Sequence, residues 1–206
     1  MSANPAAPAC DEWPDEHTPP LAAALRYAAL GLAVFPCRGK VPLTEHGCKD
    51  ASVDDGTIRS WWARWPDASV AIAPDEHMVV LDFDDLAAVP ALEAKVGPLP
   101  ETARVRTGGG GLHVYLRLPE GAHVKNKVRV LPGLDLRTTG GYVITAPSLH
   151  ASGCRYQGEG DGITFAACPP ALVDLLVAVK PEPERAPAPQ RDFTGEAHPW
   201  AAAGLD

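Results

Sequence analysis

Asp82 and Asp84 stand two residues apart at the end of the apolar run Val79-Val80-Leu81-Asp82-Phe83-Asp84-Asp85. The run reads as a strand, in which alternate side chains share a face, so the two acids point together while Leu81 and Phe83 enter a core. At a rise of ~3.3 Å per residue their carboxylates lie roughly 7 Å apart, a spacing that can converge on divalent cations. Asp85 falls on the opposite face, apart from that pair. A third acid, Asp135, lies in Leu134-Asp135-Leu136-Arg137, where the leucines face inward and Asp135 and Arg137 take the polar side.

Between these acids comes Thr107-Gly108-Gly109-Gly110-Gly111, feeding Leu112 to Leu118. There Leu112, Val114, Leu116 and Leu118 take one face and His113, Tyr115 and Arg117 the other. A lone histidine is usually structural. At the start of a strand, after four glycines and on the polar face, it is a candidate ligand. The glycines expose amides and allow close approach to a phosphate, but no Gly-Lys-Ser/Thr follows and the next element is a strand, which excludes a P-loop and a dinucleotide-binding fingerprint. A flexible hairpin turn is the plain alternative. Lys125-Asn126-Lys127-Val128-Arg129 reads as a basic loop suited to phosphates.

The elements that must position these residues follow from periodicity and punctuation. Leu21 to Leu30 has helical spacing and stops at Gly31; Leu32 to Phe35 is a short strand stopped by Pro36. A loop carries Lys40 and Lys49, which read as solvated surface taken alone. Ser52, Asp54 and Asp55 cap a helix bearing Trp61 and Trp62; these and Trp65 read as packing residues rather than base-stacking platforms. Ser69 to Ala73 and Met78 to Asp84 are strands, Leu86 to Val96 is a helix interrupted by Pro90, and Tyr142 to Thr145 is a further strand. Pro169-Pro170 opens a closing helix.

Length and composition fit one domain with tails. The chain has 206 residues, of which 22 are proline and 19 glycine. Residues 1–19 read as a disordered, acidic, proline-rich tail and 181–206 as a Pro/Ala-rich tail, leaving 20–180 as one folded domain. The net charge of −8 is carried mostly by those tails, whereas residues 104–137 hold seven Lys and Arg against two acids. Overall acidity therefore does not exclude a polyanionic partner. Five cysteines without a C-x-x-C pair argue against a disulfide framework. Cys37, His46 and Cys48 are weighed as a zinc site, although their spacing fits no common ligand pattern. No signal peptide and no run of ~18 apolar residues is evident, so the expectation is a soluble, cytoplasmic protein without a membrane partner.

In order, these motifs resemble those of the bifunctional DNA primase/polymerase (prim-pol) N-terminal domain of the archaeo-eukaryotic primase superfamily. Leu81-Asp82-Phe83-Asp84 matches its Asp-x-Asp motif, Gly111-Leu112-His113 its small-x-His motif, and Leu134-Asp135 its third acid. The flanks agree: Leu25 to Pro36, Gly39-Lys40-Val41-Pro42, Trp61-Trp62, Gly140 to Val143 and Pro147 to Tyr156. The chain departs from the family at Gly109, where members often carry Ser, and it ends in a proline-rich tail where many continue into a helicase.

The resemblance implies an α+β fold, with an RRM-like antiparallel sheet, an N-terminal α/β unit and the active site between them. It implies a DNA primase and/or DNA polymerase, acting on single-stranded DNA template and primer with NTP or dNTP substrates, with a separate helicase as a candidate partner. Asp82, Asp84 and Asp135 would hold two Mg²⁺ or Mn²⁺, the hard, oxygen-preferring ions. His113 would contact nucleotide phosphates, Gly110 and Gly111 would offer amides, and Arg137 and Lys40 would be further phosphate partners. Two other classes compete. A non-catalytic module binding single-stranded nucleic acid on an RRM-like sheet would need exposed aromatics, and Tyr115 and Tyr142 are few. A metal-dependent phosphatase of the haloacid-dehalogenase type would follow its second Asp with a small hydroxyl residue, not with Asp85-Leu86.

Overall fold

The computed structural model describes residues 12–160 and 162–178. Helix α1 (Pro20–Ala29) leads into β1 (Ala33–Arg38) and β2 (Val41–Pro42), followed by a short 3₁₀ turn (Gly47–Asp50), α2 (Asp55–Arg64) and β3 (Ser69–Ala73). Next come β4 (Met78–Phe83), α3 (Ala88–Val96), β5 (Arg104–Arg106), β6 (Leu112–Arg117), β7 (Lys127–Leu131) and β8 (Leu134–Arg137). The last elements are β9 (Val143–Ile144), β10 (Gln157–Glu159), β11 (Ala166–Ala167) and α4 (Pro170–Ala178). The strands form two sheets, β2-β1-β3-β9 and β10-β5-β6-β4-β8-β7. All pairs are antiparallel except the short β11, which runs parallel to β6. The fold class is α+β, with four helices among the described residues.

Local chemistry explains most boundaries. Pro20 opens α1, where its missing N–H costs nothing, and Gly31 at φ +79° ends it. Asp54 caps α2, its Oδ1 accepting from the Thr57 amide at 2.8 Å. Pro90 does not interrupt α3. It occupies the first turn, whose N–H groups have no intrahelical acceptor, so the ring is tolerated.

Four sequence expectations change. First, β1 runs through Pro36 to Arg38. The Pro36 carbonyl accepts from the Leu43 amide on the β2 side, and since a residue's N–H and C=O point the same way in a strand, the missing donor would also face that sparsely paired edge. Second, the end of the expected acidic tail packs on the domain. Trp13 donates its indole N–H to the Glu159 carbonyl at 3.0 Å, and Pro14 is buried. Residues 1–11 and 179–206, and with them most of both tails, lie outside the described residues. Third, Lys127 is not in a basic loop. It begins β7, is 8% exposed, and donates its ammonium to the Leu176 carbonyl of α4. Fourth, the polar face of β6 is not solvated: His113 and Tyr115 are as buried as the leucines opposite.

The fourth change follows from layering. One core joins α1, α2 and the first sheet to Met78, Val80, Val105 and Tyr115 on the near face of the second sheet. The other fills that sheet's far face, where Val79, Leu81, Phe83, Leu112, Val114, Leu134 and Leu136 meet α3 and α4. Both faces of β4 are therefore covered. The candidate polar residues lie on the near face, in the seam between the cores. No helix among the described residues is long and apolar enough to cross a membrane.

Candidate active site

Strand register assembles the site. Asp82 pairs with His113 across β6 and with Asp135 across β8, so three polar residues form one row over three strands. The next row is Tyr115, Val80 and Arg137. Alternation keeps all of these on the near face, while Leu81, Phe83, Leu134 and Leu136 anchor the same strands from the far side.

Arg137 ties the acids together. Its Nε lies 3.3 Å from Asp82 Oδ2 and its terminal nitrogen 2.8 Å from Asp135 Oδ2. On the other side His113 Nε2 lies 3.3 Å from Asp82 Oδ1. Asp135 Oδ1 accepts a 2.7 Å bond from the amide of Arg129, a residue at φ +57°. Burial would push the Asp82 carboxyl up, but the His113 imidazole and the Arg137 guanidinium outweigh it and hold the group below the usual carboxylate range. Asp84 lies one residue beyond the strand and is exposed, its amide donating to Gly133 O at 3.0 Å. Asp85 turns away and caps the approach to α3, Oδ1 accepting from the Ala87 amide at 2.9 Å.

The four glycines form the β5–β6 hairpin turn, and their amides are used differently from expectation. Gly110 donates to Thr107 O at 3.0 Å and Gly111 to Thr107 Oγ1 at 2.9 Å, so both are occupied inside the turn. Their service is to shape. A Cβ on Gly111 would stand 2.3 Å from Phe83 O, and one on Gly108 would stand 2.3 Å from His150 Cβ. The turn thus presses against the end of β4 and against the loop after β9. Ser152 Oγ fastens that contact by donating to Gly108 O at 2.6 Å.

Lys40 sits exposed in the β1–β2 turn, and no ion pair joins it to the three acids among the described residues. Its carbonyl accepts from Tyr142 Oη at 2.7 Å. Cys37, His46 and Cys48 do not converge: Cys37 is buried, His46 Nδ1 lies 3.0 Å from Asp50, and Cys48 bonds to Gly140 O.

Four residues make contacts here that the sequence did not assign to them, although Asn126 and Arg129 belong to the expected basic loop. The Arg129 amide bonds Asp135 within the stretch of β7–β8 where the register shifts. Tyr156 packs its ring 6.0 Å from that of His113, and burial together with Asp82 and Asp84 pushes its phenol up to about 12. His150 lies 5.9 Å from Tyr156, ring to ring. Asn126 clamps the turn after β8, accepting from Thr138 N at 2.7 Å and donating to Thr139 O at 3.0 Å. The Pro147 to Tyr156 run was the one available signal for two of them.

The oxygen set fits hard divalent cations in kind. A positive group already sits between Asp82 and Asp135 in the form of the Arg137 guanidinium, so the pair accepts a cation between its strands. As they stand, no three His, Cys, Asp or Glu side chains among the described residues are gathered into a metal-holding group. For the set to close, Arg137 would have to yield its contacts to Asp82 and Asp135.

Compared with known families, residues 24–171 match the one described as "Bifunctional DNA primase/polymerase, N-terminal". No curated protein matches the chain.

Proposed function

The chain belongs to the bifunctional DNA primase/polymerase N-terminal family, and from that premise we propose that it is a template-dependent nucleotidyltransferase, a DNA primase and/or DNA polymerase. The observation that carries the reading is the row His113–Asp82–Asp135, laid across three strands with Arg137 at its edge. Asp82, Asp84 and Asp135 are the residues that would hold two Mg²⁺ or Mn²⁺. When bound, such ions neutralise charge developing on the attacking and leaving oxygens of phosphoryl transfer. The reaction joins a 3′-oxygen to the α-phosphorus of a nucleoside triphosphate and releases pyrophosphate.

The chain's own side chains do the positioning. His113, fixed between Asp82 and the Tyr156 ring, offers a nitrogen to the triphosphate. Arg137 carries a fork of donors suited to phosphate oxygens, which would compete with the two carboxylates for it. Gly110 and Gly111 shape the hairpin that leads into the strand of His113, and Lys40 is an outlying phosphate partner. Supporting the finer fold assignment, an RRM-like primase-polymerase domain over 20–180, is an antiparallel sheet with α3 and α4 on one face and the polar row on the other. The α1–α2 layer would be the N-terminal unit. Partners on this reading are single-stranded template and primer, NTPs or dNTPs, and a separate helicase. The free thiols Cys37, Cys48, Cys154 and Cys168 suit a reducing, cytoplasmic setting.

The test is incorporation on primed and unprimed single-stranded templates, NTPs against dNTPs, with Mg²⁺ and Mn²⁺. Metal-dependent, template-directed incorporation is the expected result. Phosphomonoester hydrolysis without template dependence, or DNA binding with no incorporation under either ion, overturns the reading.

A further inference from the structure

A second cluster of nucleic-acid chemistry lies away from the acids, on the first sheet. A cavity of about 380 Å³ opens where the end of β1 meets the end of α2, lined by Cys37, Arg38, Gly39, Arg64, Trp65 and Asp67 among others. That volume falls in the ~300–1,000 Å³ range of small-molecule sites. Arg59, Arg106, Arg117 and Arg137 all have carboxylate partners, but Arg38 and Arg64 have none among the described residues, although Asp67 lines the same cavity. Both guanidiniums are exposed. Two arginines against one aspartate leave the lining positive.

Arg64 is also pre-arranged. Its guanidinium carbon stands 4.7 Å from the Trp65 ring centroid, and that indole is half-buried against the core. The exposed guanidinium is therefore backed by an aromatic, and an unstacked base can lie against it. Arg64 occupies the last turn of α2, so its charge offsets the carbonyl end of the helix, which alone would disfavour a phosphate. Arg38 supplies a second cation across the cavity, and Asp67 supplies an acceptor for a base amino group or a sugar hydroxyl.

The cavity is joined to the catalytic seam by covalent and hydrogen-bonded structure. The turn that carries Arg38 and Gly39 continues into Lys40, whose carbonyl holds Tyr142 Oη. Cys48 Sγ, from the 3₁₀ turn, reaches Gly140 O in the segment between Arg137 and β9. A strand leaving the acids past Arg137 and over that segment therefore meets the Arg38 turn next.

We infer that the Arg38–Arg64–Trp65 cavity is a subsite for one nucleotide unit of a single strand outside the catalytic centre, with its phosphate between the two arginines and its base on the indole-backed guanidinium. The inference rests on the proposed nucleotidyltransferase reading and extends the template or primer contact onto the first sheet. It differs from triphosphate binding, because the cavity holds no carboxylate pair and lies on another sheet from His113.

Fluorescence anisotropy with a labelled oligothymidylate of about a dozen nucleotides, in chelator, isolates this contact from chemistry. The Arg38→Ala/Arg64→Ala double variant should bind roughly tenfold more weakly than the unaltered protein. Its log-affinity against log-salt slope should fall by about 0.7, the value expected for one phosphate contact on a single strand. Arg64→Lys should keep the slope and still lose affinity, since it retains the charge but not the plane. Circular dichroism and a melting curve check folding, which two exposed side chains should not disturb. Unchanged affinity and slope in the double variant overturns the inference. So does a protein that binds no oligonucleotide, or a variant that loses free nucleoside triphosphate binding while keeping the strand. Asp82→Asn separates the two claims: it should abolish incorporation, while the Arg38→Ala/Arg64→Ala substitutions should weaken oligonucleotide binding in chelator by the same factor in that background as in the unaltered one. Failure of the unaltered protein to incorporate would sink the nucleotidyltransferase reading without touching this binding result.

Discussion

Asp82 keeps only about 16% of its side chain in contact with solvent, yet its neighbours favour the ionised form. Because its folded pKa lies below the ordinary carboxylate value of ~3.9, the unfolded chain takes up the proton first as pH falls. The stabilisation is fully present above that ordinary value and is lost as pH falls through the depressed folded one. Denaturant titrations of chelated protein between about pH 6 and pH 3 should show the unaltered protein losing more stability than Asp82→Asn; equal losses would mean the His113 and Arg137 contacts contribute nothing. For activity, Asp82→Ala or Asp84→Ala should abolish metal-dependent incorporation in a folded protein, whereas Asp85→Ala, which loses only a turn contact, should retain it. His113→Ala should chiefly raise the KM for nucleotide, and steady-state kinetics with an unchanged rate and KM would remove it from the site.

Among the elements, the β5–β6 hairpin is the most sensitive to a single atom. Gly111→Ala puts a methyl against Phe83 O and Gly108→Ala puts one against His150 Cβ. Each should cost about 1–3 kcal/mol of stability by overpacking and depress incorporation, and thermal unfolding read beside primer extension checks both. The turn after β8 is the other weak point. Asn126→Ala removes both bonds that clamp Thr138 and Thr139 and should cost about 1–3 kcal/mol, measurable by urea unfolding. The contrast between these parts explains what could be read in the sequence. Alternation in Leu134 to Arg137 and in Leu112 to Arg117 was enough to put Asp135 and His113 on one face, and Gly31 and Asp54 punctuated helices as composition implies. Pro36 misled because its penalty depends on which side of β1 lacks a partner. Lys127 misled because only the docking of α4 supplies its acceptor. The Arg137 bridge was hidden for the same reason, since cross-strand register is set by the whole sheet and not by the residues nearby.

At the scale of the molecule, the two cores meet along the near face of the second sheet, and small anchors hold distant segments to it. Trp13 is such an anchor, packing over Gly158 far along the chain. Trp13→Ala should cost about 2 kcal/mol, below the 3–5 typical of a fully buried ring, and a melting curve would register it. Burial also decides where the molecule can open. β4 has a partner strand on each side and a core on each face, while β2 is a two-residue edge. Native-state hydrogen exchange should therefore rank the β4 amides among the slowest and those around the β1–β2 turn among the fastest. Asp82 then rides on the last segment to breathe, and the Arg38 turn on one of the first. A strand of nucleic acid would meet a clock-like difference between its two contacts: one fixed over many openings of the other, so that it could slip at the rim while its reacting end stays in place.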